Sequence, residues 1–102
     1  SIDCTVIYAT DGLQKEANLK HLKDDKNFFP EYNGAVLVRD DLFERFKDKA
    51  PNLEEALRKL DGIFTDEVMA ELTYLVDIGE NGQPQELDTV AKEFLQSKGL
   101  IS

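Results

Sequence analysis

Apolar residues follow two different patterns along this chain. In the first forty residues they form short runs rich in β-branched side chains, at residues 2–10 and again at residues 35–38. The first run ends at Asp11-Gly12, a turn signal, and predicts a strand. The second run follows Asn33-Gly34 and is continuously apolar, which predicts a strand buried on both faces.

The segment between the two runs is predicted to be irregular. Residues 13–17 are polar without clear periodicity, and residues 18–29 carry scattered charges before they end on Phe28-Phe29. Pro30 fixes its own φ and disfavours a helical conformation for the residue before it. We therefore expect a loop that leads into an extended segment, with no helix through this point.

After residue 39 the apolar positions recur about every 3.6 residues, which predicts about four helices. Asp40 or Asp41 is expected to cap the first helix. Asn52, with an acidic residue three positions later, has the pattern of a capping box at the start of the second. Thr65 opens the third helix, and the fourth is predicted over residues 86–97.

The helices are expected to follow the strands in one α/β chain. Residues 79–84 are predicted to form a loop, and Gly99 is expected to stop the last helix. The four apolar helix faces consist, in chain order, of Leu42, Phe43 and Phe46; Leu53, Leu57 and Leu60; Val68, Met69, Leu72 and Val76; and Leu87, Val90, Ala91, Phe94 and Leu95. Two to three strands followed by about four helices do not close a doubly wound sheet without further strands.

Length and charge narrow the range of functions. The 102 residues, 41% of them hydrophobic, are sufficient for a single domain, residues 1–102, with a modest core. The formal net charge of -9 repels the phosphates of nucleic acids and anionic membrane surfaces. Nucleic acid is therefore not an expected partner. The acidity is compatible with a cationic ligand, although solubility explains it without any ligand.

Candidates for catalysis or metal binding are few. Cys4 is the single cysteine, which excludes an intrachain disulfide and a cysteine-based metal site. His21 lies in a charged stretch without a nucleophile arranged beside it. Asp24-Asp25 and Asp40-Asp41 lack the ligand spacing of a calcium loop and are interpreted as caps or turns. We therefore expect no enzyme, no metal and no cofactor.

Two tyrosines have positions that suit a binding cleft. Tyr8 lies near the end of the first predicted strand, and Tyr32 directly follows the turn that contains Pro30. Residues at the ends of strands and turns often reach ligands. The residues alone leave two alternatives open for these rings, packing in the core or lining a cleft, and favour the first.

A series of motifs resembles the C-terminal part of one protein family. The motifs are, in order, Tyr8-Ala9-Thr10-Asp11-Gly12, Leu22-Lys23-Asp24-Asp25-Lys26, Phe28-Phe29-Pro30-Glu31-Tyr32 and Val90-Ala91-Lys92-Glu93-Phe94-Leu95. Together they resemble the substrate-binding proteins of osmoprotectant ABC transporters, which take glycine betaine, carnitine and choline. The resemblance covers almost the whole chain, and its first half is the more specific part.

The resemblance implies a fold, a ligand class and site residues. It implies a partial lobe of a type II periplasmic-binding-protein-like fold, with residues 1–102 as the C-terminal segment of a larger two-lobed protein. It further implies a quaternary ammonium ligand in a cage of tyrosines, to which Tyr8 and Tyr32 contribute rings, while Thr10 and Asp11 are candidates for polar contacts. Two departures from the family pattern are Glu31, where a second proline is frequent, and Thr73, where asparagine is frequent.

The same resemblance implies partners and a location. The partner is the membrane permease subunit, and the protein is extracytoplasmic and membrane-associated through a lipid anchor or a fusion to the permease. The chain on its own is expected to bind quaternary amines weakly or not at all. Its unpaired strand edges also allow a strand-swapped homodimer. The alternative is a small acidic interaction or regulatory domain without catalysis.

Overall fold

The fold is described from a computed structural model of the chain, for residues 2–31 and 33–102. These residues contain five helices: α1 Leu13–Glu16, α2 Leu42–Phe46, α3 Leu53–Arg58, α4 Asp66–Asp77 and α5 Leu87–Ser97. The chain divides into two compact units. The terminal unit comprises Ser1–Lys20 with Gly62–Ser102, and the central unit comprises His21–Asp61. In the part of the chain described, no helix has the length and apolar character needed to cross a membrane.

Helix α4 is the base of the terminal unit, because both α1 and α5 pack against it. Its start is well specified by the sequence. The Thr65 hydroxyl accepts a hydrogen bond from the Val68 N–H at 3.2 Å, and Asp66 and Glu67 lie in the first turn, where the helix dipole favours negative charge. The predicted start of this helix is therefore confirmed.

Helix α5 ends as its glycine predicts. Gly99 has a φ of 70°, a left-handed conformation that glycine adopts without steric cost. The Gly99 N–H donates to the Gln96 carbonyl at 2.9 Å, and the Leu100 N–H donates to the Leu95 carbonyl at 3.0 Å. This pair of bonds is the Schellman motif, which satisfies the last carbonyls of a helix.

The core of the terminal unit is small. Val90 on α5, 4% exposed, is the one buried apolar side chain among the residues described. The rings of Phe64 and Phe94 pack with their centroids 5.4 Å apart. Leu87, which is 64% exposed, and Ala91 were predicted on the buried face and are instead exposed. Leu87 begins the helix and Ala91 lies about 100° around the axis from Val90, so only a narrow stripe of α5 faces α4.

Helices α2 and α3 of the central unit pack against each other. Both form where they were predicted, but neither has the predicted side-chain cap. The Asp41 carboxylate contacts the Arg39 guanidinium at 3.0 Å instead of the helix N–H groups. The capping box predicted at Asn52 is also wrong, since its side chain makes no hydrogen bond to the start of α3.

The predicted strands are absent from the residues described. Residues 2–10 and 35–38 have the composition of strands. They pair with no other strand within residues 2–31 and 33–102. The run that was expected to be buried on both faces is open to solvent, with Leu37 95% exposed. A strand exists only through hydrogen bonds to a neighbouring strand. β-Propensity therefore identified sequences suited to pairing, and this part of the chain supplies no partner.

The short helix α1 was not predicted, because residues 13–17 were expected to be an irregular polar connection. Four residues are too few to show a helical period. The helix forms next to α4, which it contacts. Its existence therefore depends on tertiary contacts rather than on its own propensity.

We predict that Val90→Ala destabilises the terminal unit more than any comparable change on the outer side of α5. The substitution removes buried methyl groups and leaves a cavity between α4 and α5, at a cost of roughly 1–3 kcal/mol. Leu87→Ala is the matched control on the same helix, and its effect should stay within about 0.5 kcal/mol. Urea unfolding followed by circular dichroism measures both, and equal effects of the two variants would contradict the assigned core.

Candidate functional site

The candidate site is built around the Tyr8 turn, defined here as residues 8–12. The Asp11 N–H donates to the Tyr8 carbonyl at 3.0 Å and closes the turn. An Asp11 carboxylate oxygen accepts a hydrogen bond from the Leu13 N–H at 2.9 Å. The Gln14 side-chain amide donates to the Ala9 carbonyl at 2.6 Å. The turn is thus closed by its own backbone and joined to the start of α1.

One hydroxyl connects the Tyr8 turn to α4. Thr73 Oγ1 donates to the Thr10 carbonyl at 2.7 Å, in a half-buried position. The same oxygen lies 2.9 Å from the Met69 carbonyl and 3.2 Å from the Ala70 carbonyl, both within α4. A hydroxyl has a single hydrogen to donate. The shortest of the three contacts leads out of the helix to the turn.

Gly12 allows the turn to approach the α4 backbone closely. The residue is buried, and a Cβ atom at this position would lie 2.5 Å from the Cα of Tyr74. That distance is far shorter than any ordinary contact between carbon atoms. Glycine is required here for space, in addition to its role as a turn residue.

An ion pair joins α1 to α4 beyond the turn. Lys15 Nζ lies 2.9 and 2.8 Å from the two carboxylate oxygens of Glu71 and 4.4 Å from the centroid of the Tyr74 ring. The hydrogen bond to Glu71 raises the pKa of the Lys15 ammonium, so the lysine is charged at neutral pH. Both partners are half exposed, and a pair of this kind contributes modestly to stability.

These contacts leave the Tyr8 ring free while they hold its backbone. The Tyr8 side chain is 75% exposed, so core packing does not account for it in this structure. Thr10 and Asp11 lie in the same turn, but their observed contacts are structural, through the Thr10 carbonyl and the Asp11 carboxylate. Tyr32, the other predicted ring, lies outside the described residues.

A second ordered loop lies in the central unit. The Asp24 carboxylate accepts hydrogen bonds from the Phe28 and Phe29 N–H groups, each at 2.9 Å. Asn27 adopts a positive φ of 50°, which reverses the chain between them. The Phe28 N–H, followed by that of Phe29, lowers the pKa of the Asp24 carboxyl. The interpretation of Asp24 as a turn residue is therefore confirmed.

The two phenylalanines of this loop are exposed. Their rings meet edge to face, with centroids 5.1 Å apart. The loop brings the chain to Pro30 just before the position of the second predicted tyrosine. Asp24 thus has a defined structural role in the motif on which the family resemblance depends.

Sequence reasoning missed the residues that hold the Tyr8 turn. Thr73 is 63 positions from Thr10, and Glu71 is 56 positions from Lys15. Neither pair leaves a signal in local periodicity. Gly12 was identified as a turn residue, but its close approach to α4 is a tertiary contact that one sequence does not show.

Comparison with known protein families gives a match over nearly the whole chain. The family described as the substrate binding domain of the ABC-type glycine betaine transport system matches residues 1–97. No solved structure matches the chain.

Curated relatives show the same similarity. The chain is 40% identical over 95 residues to the carnitine transport binding protein OpuCC of Listeria monocytogenes. It is 38% identical over 92 residues to the glycine-betaine-binding protein of Pseudomonas aeruginosa. It is 35% identical over 99 residues to the ergothioneine transport permease/ergothioneine binding protein EgtU of Helicobacter pylori strain G27.

The alignments cover most of this chain but little of each relative. They include 93%, 90% and 97% of the chain for the three relatives in that order. They include 28%, 27% and 16% of the relatives' own lengths. The chain therefore corresponds to a minor part of each.

We predict that Gly12→Ala disrupts the docking of the Tyr8 turn on α4. The added methyl group would meet the Tyr74 backbone, which cannot rotate away, and overpacking of this kind costs about 1–3 kcal/mol. Gly34→Ala is the control, since nothing lies within 4 Å of a Cβ at that position. Unfolding free energies of the two variants measure the difference, and a Gly12→Ala protein as stable as the Gly34→Ala protein would refute the close approach.

We also predict that the Asp24 loop loosens in acid. Because the carboxylate pKa is lowered by the loop's own N–H groups, its hydrogen bonds are intact above the usual aspartate pKa of about 3.9. They are lost as the pH falls through the lower pKa of the folded loop. In an NMR titration the Phe28 and Phe29 amide shifts should move together, with a midpoint below that of an ordinary aspartate.

Two variants separate the carboxylate's role from general acid effects. Asp24→Asn should abolish the shared amide titration, because it leaves no group to protonate and only one acceptor oxygen. Asp25→Asn, a change at the adjacent aspartate, should leave it intact. An unchanged titration in the Asp24→Asn protein would disprove the assignment.

Proposed function

The chain belongs to the family of substrate-binding domains of ABC-type glycine betaine transport systems, and from this premise we propose that it acts in the substrate-binding component of an osmoprotectant importer. In this proposal residues 1–102 are the C-terminal segment of a larger two-lobed protein with a periplasmic-binding-protein-like fold. The chain's coverage of about a quarter of the carnitine- and glycine-betaine-binding relatives supports its being part of a larger protein.

The proposed ligand is a quaternary ammonium compound such as glycine betaine, carnitine or choline. The relatives are named for carnitine, glycine betaine and ergothioneine, and these three molecules share a trimethylammonium group and a carboxylate. A trimethylammonium group has no N–H to donate, so a protein binds it through aromatic faces and burial of its methyl groups. Each cation–π contact contributes roughly 0.5–2 kcal/mol.

Tyr8 is the residue we assign most directly to this cage. The observation that carries the assignment is an exposed ring on a backbone held at several points: the Tyr8 side chain is 75% exposed, while its turn is bonded to α1 and α4. An aromatic wall needs this combination, because a ring that is anchored through its backbone keeps its face available to a ligand.

Tyr32 is proposed as a second ring on the strength of the family resemblance. Thr10 and Asp11 are proposed as polar contacts, in a lesser role, because the structure already uses groups of both residues to build the turn. The remaining rings of the cage belong to parts of the longer protein outside these residues. This is why the chain on its own is expected to bind quaternary amines weakly.

The proposed component is not an enzyme and delivers its ligand to a membrane permease. Family members are substrate-binding proteins of transporters. We place the protein on the extracytoplasmic side, with a lipid anchor or a permease fusion as the attachment. The Helicobacter pylori relative, whose name joins a permease and a binding protein, supports the fused arrangement.

Residues 2–10 and 35–38 take strand partners in this proposal from other parts of the longer protein. Both runs combine strand-like composition with exposed backbone in this structure. For the chain alone a strand-swapped homodimer is one arrangement open to these runs, since a second copy could supply the partner.

We predict that Tyr8→Ala in the full-length protein weakens binding of quaternary amines by roughly 2- to 30-fold, the equivalent of one cation–π contact. Tyr8→Phe keeps an aromatic face and should bind within about threefold of the unmodified protein. Isothermal titration with glycine betaine, carnitine and choline gives the dissociation constants.

The control is the melting temperature of each variant, which should not change because the Tyr8 ring packs against little of the protein. Unchanged affinity of the Tyr8→Ala protein for all three ligands would contradict the cage. Absence of binding by the unmodified full-length protein would favour the alternative function, a small acidic interaction domain that binds no quaternary amine.

A further inference from the structure

The position of the Tyr8 ring depends on contacts made by neighbouring residues. The side chain is exposed, and the Tyr8 carbonyl is bonded to Asp11 within the same turn. That bond moves with the turn and cannot fix it relative to α4. The position of the Tyr8 backbone, from which the ring projects, is therefore set by whatever attaches the turn to the helix.

The segment from Thr10 to Lys15 is attached to α4 at Thr10, at Gly12 and at Lys15. Thr73 donates a hydrogen bond to the Thr10 carbonyl, Gly12 closely approaches Tyr74, and Lys15 pairs with Glu71 and lies over the Tyr74 ring. The Thr73 bond is the nearest of these to Tyr8, two residues away along the chain. It is partly buried, whereas the ion pair, made by Lys15 within α1, is exposed to solvent.

We infer that Thr73 is a positioning residue for the ligand, which acts through the Tyr8 turn and makes no ligand contact of its own. This inference rests on the proposed function. The hydroxyl holds the Thr10 carbonyl at 2.7 Å and so sets the distance between α4 and the turn that carries the ring. Because α4 is 12 residues long and packs against both α1 and α5, it provides a rigid base.

The helix itself does not need the Thr73 hydroxyl. The Met69 and Ala70 carbonyls that lie near it are part of α4 and belong to the regular backbone pattern of the helix. Valine has the shape of threonine without the hydroxyl and a similar helix propensity. Thr73→Val should therefore fold with α4 intact and lose mainly the bond to the turn.

The experiment measures ligand affinity in the full-length protein by isothermal titration with glycine betaine. Thr73→Val should bind about two- to tenfold more weakly, the expected effect of one lost hydrogen bond. Thr73→Ser retains the hydroxyl and should restore affinity to within about twofold. Circular dichroism should show the same helix content in the unmodified protein, the Thr73→Val protein and the Thr73→Ser protein.

A double-mutant cycle with Tyr8→Ala separates positioning from a general structural effect. If Thr73 acts through Tyr8, Thr73→Val should have little further effect on affinity once the ring is absent. An equal loss in both backgrounds would overturn the inference, because the hydroxyl would then act by another route.

Two other outcomes distinguish this inference from the proposed function. If Tyr8→Ala weakens binding and Thr73→Val does not, the cage is retained and the positioning role is wrong. If neither variant weakens binding, the assignment of Tyr8 to the cage fails and the positioning role fails with it, whereas absence of glycine betaine binding by the unmodified protein would contradict the proposed function itself.

Discussion

The structure of the terminal unit depends on the close contact between the chain at Thr10–Gly12 and the backbone of α4. A hydroxyl from the helix meets a carbonyl of the turn, and a glycine removes the side chain that would keep the two apart. Once these atoms are in place, the short helix α1 follows against α4, and its lysine reaches Glu71. Helix α1 is too short to form without tertiary support, and these contacts with α4 provide it.

This contact also explains why part of the backbone at the beginning of the chain is hydrogen-bonded and part is not. Residues 8–16 obtain hydrogen bonds from their own turn, from α1 and from Thr73. Residues 2–7 have no comparable partner in the part of the chain described, although their β-branched side chains suit a strand. Backbone N–H and C=O groups require partners when they are buried. Residues 2–7 have no neighbouring strand to bond with among the residues described, so their backbone groups stay exposed to water.

The helices could be predicted from the sequence and the contacts between them could not. Periodicity located α2 to α5, and Thr65 and Gly99 marked ends that the structure confirms. The caps predicted at Asp41 and Asn52 were wrong. The Asp41 carboxylate pairs with Arg39 instead, and the Asn52 side chain makes no hydrogen bond to the start of α3. For the site, the sequence indicated the Tyr8 turn, but its anchor Thr73 is 63 positions away. Only a folded chain reveals such a pair.

The chemistry of a quaternary ammonium ligand makes the anchoring of each ring important. A ligand with N–H groups can be oriented by one or two hydrogen bonds, each of which tolerates little displacement. A trimethylammonium group has none, so affinity is the sum of several weak contacts with ring faces, and each decreases when a ring is displaced. A cage of this kind gains from rings whose backbone is held before the ligand arrives, because less ordering then opposes binding. In the proposed cage the Tyr8 turn would meet that requirement, because its ring is exposed while its backbone is held through Thr10, Asp11 and Gly12.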